Sequence, residues 1–155
     1  MSDPIFRDAT EADLPTLLAL SIAGDARGAD TPYVDPASFA DPRYLRAFRA
    51  ITGDPSHRLI AVELDGAVIG TLQITIIPGL PNFGMARGLL ENVHIRADQR
   101  GSGIGSRLVR WAVDYCRERG CGVVQLTSNK VRLDAHRFYR TLGFQQTHEG
   151  FKLQL

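Results

Sequence analysis

The sequence predicts a mixed α/β fold: a central mixed sheet of six to seven strands, mostly antiparallel, flanked by about four helices. Three observations lead there. Asp65-Gly66 separates two runs rich in Val, Ile and Thr, which marks an antiparallel hairpin in the first half. In the second half, amphipathic helical runs alternate with short apolar runs, the pattern of β-α-β crossovers. The length of 155 residues, 44% of them apolar and 23% charged, suits one domain with one core over residues 1–155.

The elements follow in order. Ile5 to Arg7 reads as a first strand. Thr10 is placed as a helix N-cap with Asp13 in the capping-box position, ahead of Leu14, Leu17 and Leu18. Residues 23–42 turn polar and irregular and feed a second helix through Tyr44, Leu45 and Phe48. Strands are expected over His57–Glu63, Ala67–Ile77 and Leu89–Ile95, with an irregular loop over Pro78–Gly88. From about Gly103 to Arg119, Ile104, Leu108, Trp111, Ala112 and Tyr115 recur at helical spacing. Gly122–Thr127 reads as a strand and Val131–Leu142 as a helix with the stripe Val131, Ala135, Phe138, Leu142. Phe144–Leu155 is expected to supply one or two closing strands.

Composition narrows function. A net charge of +1 argues against a broad surface for nucleic acid or anionic lipid. The two cysteines, Cys116 and Cys121, lack the spacing of a zinc ribbon or a secreted framework and read as reduced thiols. The N-terminus has no apolar core of a signal peptide, and no run approaches the roughly 20 apolar residues that cross a bilayer. A cytoplasmic protein without membrane or nucleic-acid partners is expected. No set of His, Cys and carboxylates has metal-site spacing, so no metal is expected.

The most informative segment is Gln99-Arg100-Gly101-Ser102-Gly103-Ile104-Gly105-Ser106, between a strand and the long helix. Its glycines let a ligand approach the backbone, and its amides lie at a helix N-terminus, where unpaired N–H groups and the helix dipole favour an anion. A pyrophosphate fits such a site. A P-loop would need a lysine that is missing, and a dinucleotide fingerprint would need a glycine where Ser106 stands. The pattern R/Q-x-x-G-x-G/A is met by Arg100 to Gly105.

That loop, the strand Glu91-Asn92-Val93-His94-Ile95 and the fragment Ala135-His136-Arg137-Phe138-Tyr139-Arg140-Thr141-Leu142-Gly143-Phe144 together resemble the GNAT N-acetyltransferase superfamily over the last 65 or so residues. The resemblance implies the GNAT fold, with fourth and fifth strands splayed apart. It also implies acetyl-CoA as cosubstrate and direct transfer of acetyl to a primary amine in a ternary complex. The amides of Arg100, Gly101, Gly103, Ile104 and Gly105 would then hold the pyrophosphate, with Arg100 adding its guanidinium and Ser106 its hydroxyl. Val93 and Ile95 would offer backbone contacts to the pantetheine arm, Val93 N–H would polarise the thioester carbonyl, and Asn129 would bind the arm or a nearby water.

Tyr139 is the implied general acid for the departing thiolate, and it lies at the edge of the core stripe, about 100° round from Phe138. Glu91 is the candidate general base; strict alternation places it on one face with Val93 and Ile95. Its bland alternative is an exposed acid paired with a base such as Arg87. Asn129 could equally cap the next helix, and Arg132 and His136 read as solvated-face residues. His94 reads as a packed histidine. By the resemblance, the acceptor pocket uses residues 23–42, where Asp25, Asp30, Tyr33 and Asp35 would suit a cationic amine, and Pro78–Gly88, where Phe83 and Met85 would form an apolar wall. The acceptor is a small-molecule or protein amine, and dimers are common among such enzymes. The alternative function is a catalytically silent acyl-CoA-binding module.

Overall fold

A computed structural model describes residues 2–25 and 35–155. Asp30 and Tyr33 lie outside the described residues. One five-stranded sheet runs in the order β1 (Ile5–Asp8), β2 (His57–Leu64), β3 (Ala67–Ile77), β4 (Ala86–Ile95) and β5 (Cys121–Leu126). The first four strands pair antiparallel with their neighbours, and β5 joins β4 in parallel. The Asp65-Gly66 hairpin forms as predicted, with φ of 51 and 78 at the two residues.

The helices are α1 (Leu14–Asp25), α2 (Pro42–Thr52), the single turn α3 (Pro81–Gly84), α4 (Ile104–Glu118) and α5 (Leu133–Thr141). They cover both faces of the sheet, so β2 is buried on both sides across Leu59 to Val62. Ile60 and Val62 pack with Leu72, Ile74 and Leu90 against Leu108, Val109, Ala112 and Cys116 of α4. Leu59 and Ala61 point the other way, to Leu17 of α1 and Phe48 of α2. Cys116 and Cys121 are free thiols, and burial pushes the Cys116 thiol up to about 11.

Two sequence expectations fail here. Helix α5 begins at Leu133, leaving Val131 outside it and 57% exposed, so the predicted stripe loses its first member. Residues 145–155 form no strand, and the described residues hold five strands where six to seven were expected. The chain is anchored as far as Phe144, whose N–H donates to the Tyr139 carbonyl and whose ring meets that of Tyr139 at 5.7 Å. Beyond it, Phe151, Leu153 and Leu155 are 93%, 86% and 116% exposed. Alternation identifies an apolar side, but it does not say which edge covers that side.

The start of α1 is held by a charged junction. Asp13 accepts the Thr10 N–H at 2.8 Å, as the capping position predicts, and Arg7 grips the same carboxylate with two bonds while also reaching Glu63. Asp13 is 9% exposed, and the Arg7 hydrogen bonds hold its pKa down to about 2 against the opposing effect of burial. Its contribution is therefore complete above the ordinary carboxylate value of about 3.9 and is lost as pH falls toward about 2. Asp13→Asn should lower the unfolding free energy at neutral pH by about 2 kcal/mol. Urea melts of both proteins between neutral pH and pH near 2 should show the gap closing; a gap that persists in acid would refute the assignment.

Candidate active site

Strands β4 and β5 pair only from Ala86↔Cys121 to Leu90↔Leu126. Beyond Leu90, β4 stays with β3 while the chain after β5 turns away, so the two strands splay as the fold resemblance implied. An open cleft of ≈ 570 Å³ lies at the divergence. Glu91, Val93, Asn129, Arg132, Tyr139 and Lys152 are among its walls.

The upper part of β4 is not a regular strand. Asn92 and Val93 together oppose Leu72, because Glu91 pairs with Gln73 and His94 with Thr71. Asn92 has φ of 53, the left-handed region that asparagine tolerates better than most residues. This bulge inverts the side-chain phase. Glu91 shares a face with Gln73 and His94, whereas Val93 and Ile95 pack into the α4-side core with Leu90. The predicted sharing of one face by Glu91, Val93 and Ile95 is therefore wrong: alternation holds only where the strand has no extra residue.

The Glu91 face turns toward α1. His94 is buried as expected, and its Nε2 lies 3.9 Å from Asp25 Oδ1 at the end of α1. A Cβ on Gly24 would sit 1.9 Å from His94 Nδ1, so the last turn of α1 can close on β4 only because residue 24 has no side chain. Glu91 itself is exposed in the cleft. In α3, Phe83 is fully exposed and Asn82 and Phe83 have left-handed φ of 54 and 61.

The glycine loop leads into α4. Gly101 and Gly103 have φ of 77 and 84, and a Cβ added to either would meet nothing within 4 Å. Gly103 is the N-cap of α4 and no side chain caps that end. The first-turn amides therefore lack the usual side-chain acceptor, a setting suited to an anionic group. A Cβ at Gly105 would make only ordinary contact with Phe138 and Ile95, at 3.6 and 3.8 Å, so the packing there does not require glycine. Ile104 faces the core at 6% exposure, and Ser106 is half-buried. Arg100 donates from Nε to the Ile95 carbonyl at 3.1 Å, tying the loop to the end of β4.

Tyr139 is half-buried between Phe138 and Phe144, with ring centroids at 5.1 and 5.7 Å. Burial raises the pKa of its hydroxyl, and the nearby charge of Arg132 partly opposes that rise. The phenol is protonated at neutral pH. Asn129 lines the cleft, and its Oδ1 accepts the Val131 N–H at 3.1 Å, a local turn bond and not the helix cap weighed for it, since α5 begins only at Leu133 with Arg132 as its N-cap. His136 contacts the Asn129 carbonyl from Nε2 at 3.0 Å.

Two wall residues were missed or misjudged. Arg132 was read as a solvated-face residue, yet its Nε is buried with no hydrogen-bond partner in the protein, as is Ser128 Oγ. Lys152 carried no sequence signal, since only the folded path of the C-terminal segment brings it to the cleft. No group of three or more His, Cys, Asp or Glu among the described residues is placed to hold a metal ion, and none of their helices is long and apolar enough to cross a membrane.

This geometry agrees with what the chain resembles. The family model for the acetyltransferase (GNAT) family matches residues 26–144. Aminoalkylphosphonate N-acetyltransferase of Salmonella typhimurium is 32% identical over 105 residues, 67% of each chain. L-methionine sulfoximine/L-methionine sulfone acetyltransferase of Pseudomonas aeruginosa is 32% identical over 142 residues, 90% of this chain and 78% of that one. Other curated relatives are matched over only 59% and 44% of their own length. A solved structure from Bacillus halodurans C-125, described as a transcriptional regulator, is 38% identical with a TM-score of 0.87, covering 99% of this chain and 100% of that one.

The bulge yields a stability prediction. Asn92→Val puts a β-branched residue at φ of 53 and should cost about 1–2 kcal/mol, whereas Asn92→Gly should be tolerated. Thermal melts of both variants give the ranking, and equal melts would refute the strain at this position.

Proposed function

The chain belongs to the acetyltransferase (GNAT) family, and we propose that it moves an acetyl group from acetyl-coenzyme A to the primary amine of a small molecule, by direct attack in a ternary complex. The observation that supports this most is the splay of β4 and β5, which opens one cleft with Glu91 on one wall and Tyr139 on another. The uncapped N-terminus of α4 supports a diphosphate grip by the amides of Arg100, Gly101, Gly103, Ile104 and Gly105, with Ser106 beside them. Val93 and Ile95 would line the arm with backbone groups, since beyond Leu90 β4 has no pairing with β5. Asn129 would contribute from the opposite wall. Acetyl-coenzyme A supplies an activated thioester.

Glu91 accepts a proton from the incoming ammonium, directly or through water, and its position on the α1-facing side puts it where an acceptor would enter. The freed amine nitrogen bonds to the acyl carbon while the carbon–sulfur bond breaks. Val93 N–H is assigned to the carbonyl oxygen. Tyr139 then passes its proton to the departing sulfur, a role for which a raised pKa keeps it protonated, and the second proton that the nitrogen sheds as the amide forms restores the phenol through water. Asp25 at the cleft suits a cationic acceptor. The named relatives acetylate small amine-bearing molecules, which favours that class over a protein amine. A single domain over residues 1–155, working in the cytoplasm, completes the reading.

Tyr139→Phe should lower turnover by about 10²-fold or more while leaving coenzyme A affinity within about twofold. Thiol release and calorimetry read the two quantities, and unchanged turnover removes Tyr139 from the chemistry. Gly103→Val, which forces a side chain onto φ of 84 at the loop, should weaken coenzyme A binding about tenfold. Unchanged affinity would overturn the diphosphate grip. The Bacillus relative described as a regulator motivates a second reading, a silent acyl-CoA sensor. Binding of acetyl-coenzyme A without thiol release across a panel of amines would favour it.

A further inference from the structure

The cleft carries charges of both signs, and the two signs come from different elements. Asp25 at the end of α1 and Glu91 of β4 are its acids. Arg132, the N-cap of α5, and Lys152 of the C-terminal segment are its cations. Among the described residues, neither Glu91 nor Arg132 nor Lys152 is engaged in an ion pair. Arg132 Nε is buried without a hydrogen-bond partner, and so is the Oγ of Ser128, which lines the same cleft. A buried donor without an acceptor is costly, and native folds keep very few of them. An arginine cannot escape that cost by losing a proton. Its Nε and a neighbouring Nη form a planar fork whose two N–H groups match two oxygens of a carboxylate or a phosphonate. Coenzyme A does not meet this demand, because its charges sit on its nucleotide phosphates and the arm that reaches the cleft is neutral.

We infer that the acceptor carries an oxyanion, a carboxylate or a phosphonate, besides its amine, and that Arg132 and Ser128 hold this oxyanion with Lys152 at the rim while the ammonium end faces Glu91 and Asp25. The inference rests on the acetyl-transfer reading for the amine end of the guest. A molecule with one charge of each sign meets both sides of the cleft. A neutral alkylamine leaves Arg132 Nε as it is now, buried and unmatched, and a diamine sets its second cation against Arg132 and Lys152. The charge of Arg132 acts on the Tyr139 phenol, so this subsite adjoins the proposed reacting centre. A short acceptor, with amine and oxyanion only a few bonds apart, suits that closeness. Ser128 Oγ donates to the oxyanion in the same arrangement, which leaves neither buried polar atom without a partner.

The test compares matched acceptors: L-alanine and β-alanine beside their amides, and aminoethylphosphonate beside ethanolamine. Thiol release gives kcat/KM for each, and calorimetry on the protein saturated with coenzyme A gives affinity with no transfer possible. For at least one pair the wild type should prefer the oxyanion-bearing amine by about tenfold or more in both quantities. The pair with the larger preference tells carboxylate from phosphonate. Arg132→Gln and, separately, Lys152→Gln should shrink the preference, and Arg132→Lys should restore only part of it, since it returns the charge without the fork. Tyr139 and Glu91 serve every amine in the panel, so an effect of Arg132 on proton transfer cancels in the ratio. A wild type without the preference overturns the inference, and so does a preference that survives Arg132→Gln. Should that variant fail to fold by circular dichroism, survival in Lys152→Gln, which alters an exposed side chain, overturns it instead. If no amine is acetylated, the acetyl-transfer reading falls by itself, and equal or absent binding across each pair in calorimetry still overturns the oxyanion subsite.

Discussion

The parting of β4 from β5 is the constraint on which the rest of the molecule turns. Parallel pairing runs for five register positions and ends at Leu90 and Leu126. Past that point the β5-facing edge of β4 has no strand beside it, and buried main-chain groups need partners. A guest with strand-like hydrogen bonding meets that need, and an anion meets the need of the uncapped α4 terminus. The two demands lie at one end of the sheet because Arg100 ties the glycine loop to Ile95 at the end of β4.

The bulge at Asn92 decides how the walls of the cleft differ. A strand that kept strict alternation would place Glu91 with the core-facing Val93. One extra residue sends the carboxylate toward α1, Asp25 and His94 while Val93 and Ile95 remain in the α4-side core. Tyr139 stands on a third element, its hydroxyl held protonated by burial with the Arg132 charge acting the other way. In the proposed mechanism acid and base therefore come from different elements, Tyr139 from α5 and Glu91 from β4.

The homologous enzymes and the cleft agree on chemistry but leave acceptor selection to parts of the wall that local patterns do not describe. Arg132 brings a buried Nε without a partner, and Lys152 brings a second positive charge from the far end of the chain. Asp25 brings a negative one. A polar cleft with charges of both signs discriminates among amines by what else they carry, because each unmatched charge costs desolvation free energy.

Local chemistry made much of this readable in the chain itself. The Asp65-Gly66 turn, the Thr10–Asp13 cap, the apolar spacing of α4 and the glycines before it each depend on neighbours a few residues away. Those elements form within one or two residues of their expected bounds at most ends. The roles attached to Arg100, Gly103 and Tyr139 came from a motif; the fold puts Tyr139 on the cleft wall and ties Arg100 to the end of β4. Tertiary structure alone decided the phase of β4, because the bulge exists only against Leu72 of the neighbouring strand. It also decided that Arg132 turns inward, that Lys152 reaches the cleft, and that the last residues leave their own sheet. Each of those outcomes pairs residues distant in sequence, and periodicity states which side of a segment is apolar without stating what will meet it.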